Sequence, residues 1–419
     1  MNGFMQVTAI VKSKLFNNIV NLFILQGFGY IYPILLIPFL INTIGVEKYG
    51  LVYYSVAFAW YFQVISEFGF DLSNVKHVVD NRNCRQKLSE IFCCIVINRL
   101  LLASILFIVY LTIIFTLPKF REYYMLYIIA YLRVFSTAFL PYWLFRSLEN
   151  VKEVTRISLI VKTICILPIF FIVKNENDYI WVISFFSLNE VISSIVGVIM
   201  VRKCYNLKYV RCSFTQMKFY FKDSIPFFTS TVATRLYTNS NILVVGSFLG
   251  EYAAGIYSVS EKLYNVYSAI VAPLIQHVFY PYFMRIKNII RMNKVITFAV
   301  GINIILLVVV YFIVPYILPF FIKVGDHLIL DNFNLFLILL AIDVPVMFLG
   351  YPYLGVLNNK IKYVNLSAIT ASVFHLMGLC VLYITNILSM SSVIILLIMT
   401  QIVCLIQRII YINKCNIVK

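Results

Sequence analysis

Residues 17–73 read NNIVNLFILQGFGYIYPILLIPFLINTIGVEKYGLVYYSVAFAWYFQVISEFGFDLS. The run holds two apolar stretches, 19–41 and 49–68. Each is long enough to cross the ~30 Å hydrocarbon layer as a helix. Between them, Asn42–Lys48 is a short polar turn punctuated by Gly45 and Gly50. The pattern predicts a transmembrane helical hairpin. Its polar residues are unusual: Asn18, Asn21 and Gln26 in the first stretch, and Gln63 and Glu67 on one face of the second. Pro33 and Pro38 are expected to break the first helix. Bilayer helices tolerate proline where a neighbouring helix or a wet cavity satisfies the freed carbonyls. The stretch is therefore either a bent helix packed in a bundle or one that lines a cavity.

The remainder is equally apolar. Of 419 residues, 62% are hydrophobic and 12% charged, with mean hydropathy +0.91. Soluble domains run near ~25% charged, so the chain is expected to be an integral membrane protein. The first apolar run is too long for a cleavable leader. Twelve spans are predicted: 19–41, 49–68, 91–117, 123–145, 155–173, 179–201, 224–249, 255–283, 295–322, 332–357, 363–385 and 391–412. Of the 34 Lys and Arg, 24 (Arg408 among them) fall in or beside connections on one side. Only Lys48, Lys119, Arg121, Lys174 and Lys323 fall on the other. The positive-inside rule puts both termini in the cytoplasm. That asymmetry explains the net charge of +17 without a nucleic-acid partner. None of the nine cysteines falls in an outer loop, which argues for reduced thiols over disulfides.

The longest connection, 202–223, is basic and divides the chain into a six-helix bundle at 1–201 and another at 224–419. Glu47-Lys48-Tyr49-Gly50-Leu51-Val52-Tyr53-Tyr54-Ser55 echoes Glu251-Tyr252-Ala253-Ala254-Gly255-Ile256-Tyr257-Ser258 at the equivalent turn of the second half. The fold expected is all-α, two six-helix bundles related by a pseudo-two-fold along the membrane normal. Chance similarity between Tyr- and Gly-rich turns is the alternative.

Ionisable groups at membrane depth are functional candidates. Thr231, Arg235, Thr238 and Asn239 recur at i, i+4, i+7 and i+8, one stripe of the span 224–249. Arg235 lies roughly 18 Å along that helix, too deep to snorkel easily. Ser258, Glu261, Asn265 and Ser268 form a similar stripe in the next span, and Asp343 sits beside Pro345 in 332–357. Arg99, Arg133, Lys162, Arg235 and Lys262 are candidate cavity cations for an anionic substrate, with Asn239, Thr231, Asn265 and Gln26 as polar lining. Arginine suits phosphate because its planar fork donates two parallel bonds. Alternatively, Arg235, Glu261 and Asp343 neutralise one another in a packed bundle. Asp343, then Glu261 and Glu67, are the ion-coupling candidates. His277 and His375 lack metal-ligand spacing and suit core packing. Gly246-x-x-x-Gly250 suits either helix packing or a turn. No Walker A loop and no nucleophile–base constellation occurs, so neither a cofactor nor an enzymatic reaction is expected.

Several motifs carry a resemblance. Gln26–Gly27, Pro33, Pro38–Phe39, Gly45–Leu51 and Glu67–Phe70 resemble the start of O-antigen flippases of the Wzx type. These form the polysaccharide-transporter branch of the multidrug/oligosaccharidyl-lipid/polysaccharide exporter superfamily. Pro141–Phe145, Glu149 and Lys162 are similar to the family's aromatic signature, although Arg146-Ser147 replaces its usual Gln-Gly. Leu236–Asn241, Gly255–Ser258, Glu261–Lys262 and Pro281 are similar to the opening of its second half. The match covers about 17–285; beyond it only hydropathy agrees. The resemblance implies a flippase of a Gram-negative inner membrane, moving an undecaprenyl-diphosphate-linked oligosaccharide between leaflets. Its partners would be that substrate, membrane lipids and other O-antigen assembly proteins. The rivals are a cation-coupled small-molecule exporter of the same fold, and an O-antigen polymerase or ligase, which the short outer loops disfavour.

Overall fold

A computed structural model describes residues 2–148, 150–286, 288–322, 326–356 and 361–417. The side chains of 2–34, 151–154, 229–234, 236–239, 277, 286, 326 and 415–417 lie outside that description. So do, therefore, the expectations placed on Gln26, Thr231, Thr238, Asn239 and His277. The principal helices among the described residues are α1 (Asn2–Glu67, two helices joined across a kink at Gly45), α2 (Phe70–Asp80), α3 (Arg85–Thr116), α4 (Tyr124–Phe139), α5 (Val151–Ile166), α6 (Tyr179–Tyr205), α7 (Phe214–Phe248), α8 (Glu251–Leu274), α9 (Ile289–Phe321), α10 (Asp326–Phe348), α11 (Ile361–Ile384) and α12 (Met390–Ile417). No strand occurs among the described residues.

Nine stretches among the described residues are long and apolar enough to cross a membrane, and they coincide with nine of the twelve expected spans. The expected span 19–41 lies mostly outside the described side chains. The spans 224–249 and 255–283 are helical but are not among the nine. In α8 the physical reason is composition: Glu261, Lys262, Asn265 and several Tyr and Ser dilute the hydropathy. Lipid contact is plainest on α9, where Phe298, Ile305, Phe312, Tyr316 and Phe320 are all more than 60% exposed. A side chain of that kind gains nothing from water, so a face of them needs a hydrocarbon solvent.

The expected proline breaks in α1 do not occur. The helix runs through Pro33 and Pro38, and the one non-helical residue is Gly45 (φ 78°, ψ 162°). Proline removes one hydrogen bond but fixes a helical φ; only glycine reaches this left-handed φ without a Cβ clash. Gly250 repeats the geometry before α8 (φ 93°, ψ 177°). Pro273 leads instead into a π-helical turn, Ile275–Phe279, and α10 continues past Pro345 into a second, Leu349–Gly355, broken at Gly350 (φ −72°, ψ −126°). Missing or displaced N–H groups widen a helix turn in this way.

The core follows from these elements. Helix α1 packs most extensively against α8. One buried cluster joins α1, α3, α4 and α6 with Ile256 and Val259 of α8. A second joins Tyr257 of α8 with α10, α11 and α12. Helix α8 thus touches both. Eight cysteines are described, all free thiols.

Candidate functional site

The α1–α8 contact is closed by glycine. A Cβ on Gly50 would overlap the Glu251 carbonyl and stand 2.5 Å from Gly255 N; one on Gly255 would overlap the Val46 carbonyl and stand 2.8 Å from Val46 Cγ1. The two echoing turns therefore face each other, each with a left-handed glycine five residues ahead of the packing glycine. Around them Lys119 Nζ donates to the Gly246 and Ser247 carbonyls, and the Tyr54 and Ser247 hydroxyls are 2.8 Å apart. Gly246 accommodates the Tyr54 ring and Gly250 makes the turn, so both readings of that glycine pair hold. Burial pushes the Glu251 carboxyl above its usual range and the Lys119 amine below its own.

A second closure lies at the other end of the same α1 segment. Arg235 Nη1 of α7 donates to Glu67 Oε2 at 2.7 Å, and Gln63 Nε2 donates to Glu67 Oε1 at 2.9 Å. Phe68 (φ 45°) and Gly69 (φ 71°) are both left-handed and end α1. The Phe68 ring is stacked on Phe221 (4.2 Å) and Phe228 (4.3 Å) of α7. A left-handed bulky residue is costly and persists where its surroundings over-determine it. Beyond the turn, Ser73 meets Ser224 at 2.6 Å and His77 meets Asp223 at 3.0 Å.

Between the two closures lies a charged cluster. Arg133 Nη2 of α4 is 3.5 Å from Glu190 Oε1 of α6. Lys162 of α5 is within electrostatic reach of Glu190 and Lys262, and Lys262 within that of Arg133 and Glu261. The Lys262 ammonium lies 5.3 Å from the Tyr53 ring centroid. Three cations thus converge on two carboxylates and a tyrosine ring. By formal count its cations outnumber its carboxylates, and it can trade a carboxylate for another anion, since phosphate and carboxylate compete for the same donors.

The remaining sequence candidates fall elsewhere. Arg235 pairs with Glu67, not with Glu261 or Asp343. Asp343 accepts from the Tyr264 hydroxyl. Arg99, 3% exposed, donates to Asp71 of α2 and lies 5.9 Å from the Phe70 ring, away from the cluster. Asn265 is exposed. His375 is buried between Asn241 (2.8 Å) and Thr400 (3.0 Å), a core arrangement. Glu190, deep in the span 179–201, suits pairing with a neighbouring base by sequence and meets one in Arg133, whereas nothing in the sequence marks Tyr53 as a site residue. Among the described residues no three His, Cys, Asp or Glu side chains gather as a metal site.

Residues 15–287 match the family model described as polysaccharide biosynthesis protein. The chain belongs to that family. The matched region holds every motif that carries the resemblance, both closures and the charged cluster. Two relatives, from Shigella dysenteriae and Escherichia coli strain K12, carry the name "Putative O-antigen transporter". The first is 27% identical over 62% of this chain and 66% of its own length; the second is 25% identical over 68% of each. The chain thus spans about two thirds of these relatives. Among solved structures, the lipid II flippase MurJ in an inward closed conformation superposes with a TM-score of 0.72 at 14% identity, covering 93% of this chain and 87% of that one. An inward-facing multidrug resistance MATE transporter gives 0.62 at 11% identity, over 91% and 95%. The chain shares its fold with both.

Proposed function

We propose that the chain is a flippase for undecaprenyl-diphosphate-linked O-antigen repeat units, carrying them from the cytoplasmic to the periplasmic leaflet of the inner membrane by alternating access. The observation that carries this reading is the Arg133–Lys162–Lys262 cluster, held between two interlocked ends on helices that meet across the α1–α8 contact. A diphosphate and its sugars cannot enter hydrocarbon without losing their water. The cluster offers replacement donors, and substrate phosphate competes with Glu190 for Arg133. The Gly50–Gly255 closure is the periplasmic gate and the Glu67–Arg235 closure the cytoplasmic one. Opening one while the other stays shut moves the site between leaflets.

Twelve spans, both termini in the cytoplasm, and two bundles at 1–201 and 224–419 joined by 202–223 complete the account. The twofold echo of Gly45–Gly50 in Gly250–Gly255 supports the bundle symmetry. Transport is driven by a cation gradient, worth about 2.3 kcal/mol per unit charge across 100 mV. Asp343 is the coupling acid, with Glu261 and Glu67 the next choices. The MATE-like fold favours one second reading, a cation-coupled small-molecule exporter. Deleting the gene separates the two. Accumulation of lipid-linked repeat units in the cytoplasmic leaflet, cleared by the restored gene, is the result expected. Normal O-antigen display with a changed pattern of drug sensitivity would favour the exporter.

A further inference from the structure

By sequence Arg408 belongs with the basic residues beside a connection, yet it is 8% exposed, four residues inside the end of the span 391–412. Its Nε donates to Ser367 Oγ at 3.2 Å and its Nη1 to the Val346 carbonyl. A guanidinium has five N–H donors, so three are left without a protein acceptor among the described residues. It forms no ion pair among them. Asp343, the last Asp or Glu in the chain, lies one turn of α10 from Val346 but accepts from Tyr264 and forms no ion pair with Arg408. A buried cation without a counter-charge is strongly unfavourable.

The surroundings are shaped to a head and a tail. Gly350, at the break in the π-helical turn, makes room for the guanidinium: a Cβ there would stand 2.7 Å from Nη1. Arg408 lines an open cavity of about 520 Å³ with Gln276, Tyr280 and Tyr351. An almost wholly apolar groove of about 540 Å³ runs between α8, α9 and α10, lined by Phe279, Phe298 and Ile302. The two share Ile275 as a common wall. A cationic cavity opening beside an apolar groove fits one chemistry, a phosphate head on a hydrocarbon tail.

We infer that this is a binding site for an anionic, phosphate-headed lipid, its phosphate on Arg408 and one chain in the groove past Ile275. Bonding Ser367 and the Val346 carbonyl uses two donors and leaves the charge unmet. The site is separate from the charged cluster and does not depend on the transport reading.

The test uses the full chain purified in mild detergent. Phosphatidylglycerol, undecaprenyl monophosphate, phosphatidylethanolamine and inorganic phosphate are added in turn, and bound mass and melting temperature are read. One tightly held anionic lipid per chain is expected, reduced at least tenfold in Arg408→Gln, and the mass of the adduct tells phospholipid from polyprenyl phosphate. Should Arg408→Gln fail to fold, Arg408→Lys, which keeps the charge and loses the fork, is expected to retain the lipid more weakly than wild type. Retention unchanged in a folded variant, equal retention of phosphatidylethanolamine, or stabilisation by inorganic phosphate matching that by lipid each overturns the inference.

Discussion

Adding one methyl group at Gly255 should prise apart the α1–α8 closure. The obstructing atoms belong to Val46, and its carbonyl oxygen and carbon are backbone, which cannot rotate away. At Val46 Cγ1 the new Cβ would sit about 0.6 Å inside ordinary van der Waals contact, and further inside at the oxygen. The helices must separate by about an ångström, and overpacking of that order costs about 1–3 kcal/mol. At tenfold per 1.4 kcal/mol, the closed state loses roughly 5- to 150-fold in population. Ser258, fully buried one turn beyond Gly255, is the reporter. In a chain whose native cysteines are replaced, Ser258→Cys should react slowly with a membrane-impermeant thiol reagent, and at least fivefold faster once Gly255→Ala is added. Gly301, where an added Cβ would meet nothing within 4 Å, is the control, and Gly301→Ala should leave the rate alone. An unchanged rate in folded Gly255→Ala protein would refute the idea that glycine packing holds this end shut.

Four further outcomes are expected. Arg235→Ala should abolish O-antigen display while the protein stays in the membrane, with Arg235→Lys restoring it partly. In a double-mutant cycle on the opening rate with Glu67→Gln, Arg235→Gln should couple by at least about 0.5 kcal/mol, and strict additivity would mean that the pair does not act as a gate. Arg99→Gln should lower the melting temperature and yield of folded protein, since breaking a buried pair costs about 3–5 kcal/mol and Asp71, about one third exposed, places it at the low end; a stable variant that fails only in transport would move Arg99 into the machinery. Asp343→Asn should fold and bind substrate yet lose transport, and a wild-type rate under an imposed proton or sodium gradient would remove Asp343 as the coupling acid.

Hydropathy made the long helices legible, because each apolar run had to be a helix to satisfy its own backbone in lipid. The glycine pairs at 45/50 and 250/255 were legible as a repeat, since a left-handed turn and a close backbone approach both leave glycine as their signature. Their mutual contact was not, because nothing local says that two turns 200 residues apart will meet. The Gln63–Glu67 pairing followed from i, i+4 spacing alone. Its partner Arg235 is 168 residues away, and the acids the sequence reading offered it, Glu261 and Asp343, are not the ones it meets. The same limit hid Arg408: hydropathy places a residue in depth but not on a helix face, and its burial depends on Gly350 and Ser367 of other elements.

The most direct test is flipping itself. The chain is reconstituted into vesicles holding an undecaprenyl-diphosphate-linked oligosaccharide on the side that faces the cytoplasmic gate, and a lectin reads sugar arriving on the other side under an imposed ion gradient. The account predicts sugar appearing faster than in protein-free vesicles, with Lys262→Gln slower by about tenfold, as expected for losing a charge-assisted contact of about 1.5 kcal/mol. Sugar appearing no faster than in protein-free vesicles, from folded protein under either a proton or a sodium gradient, would contradict it.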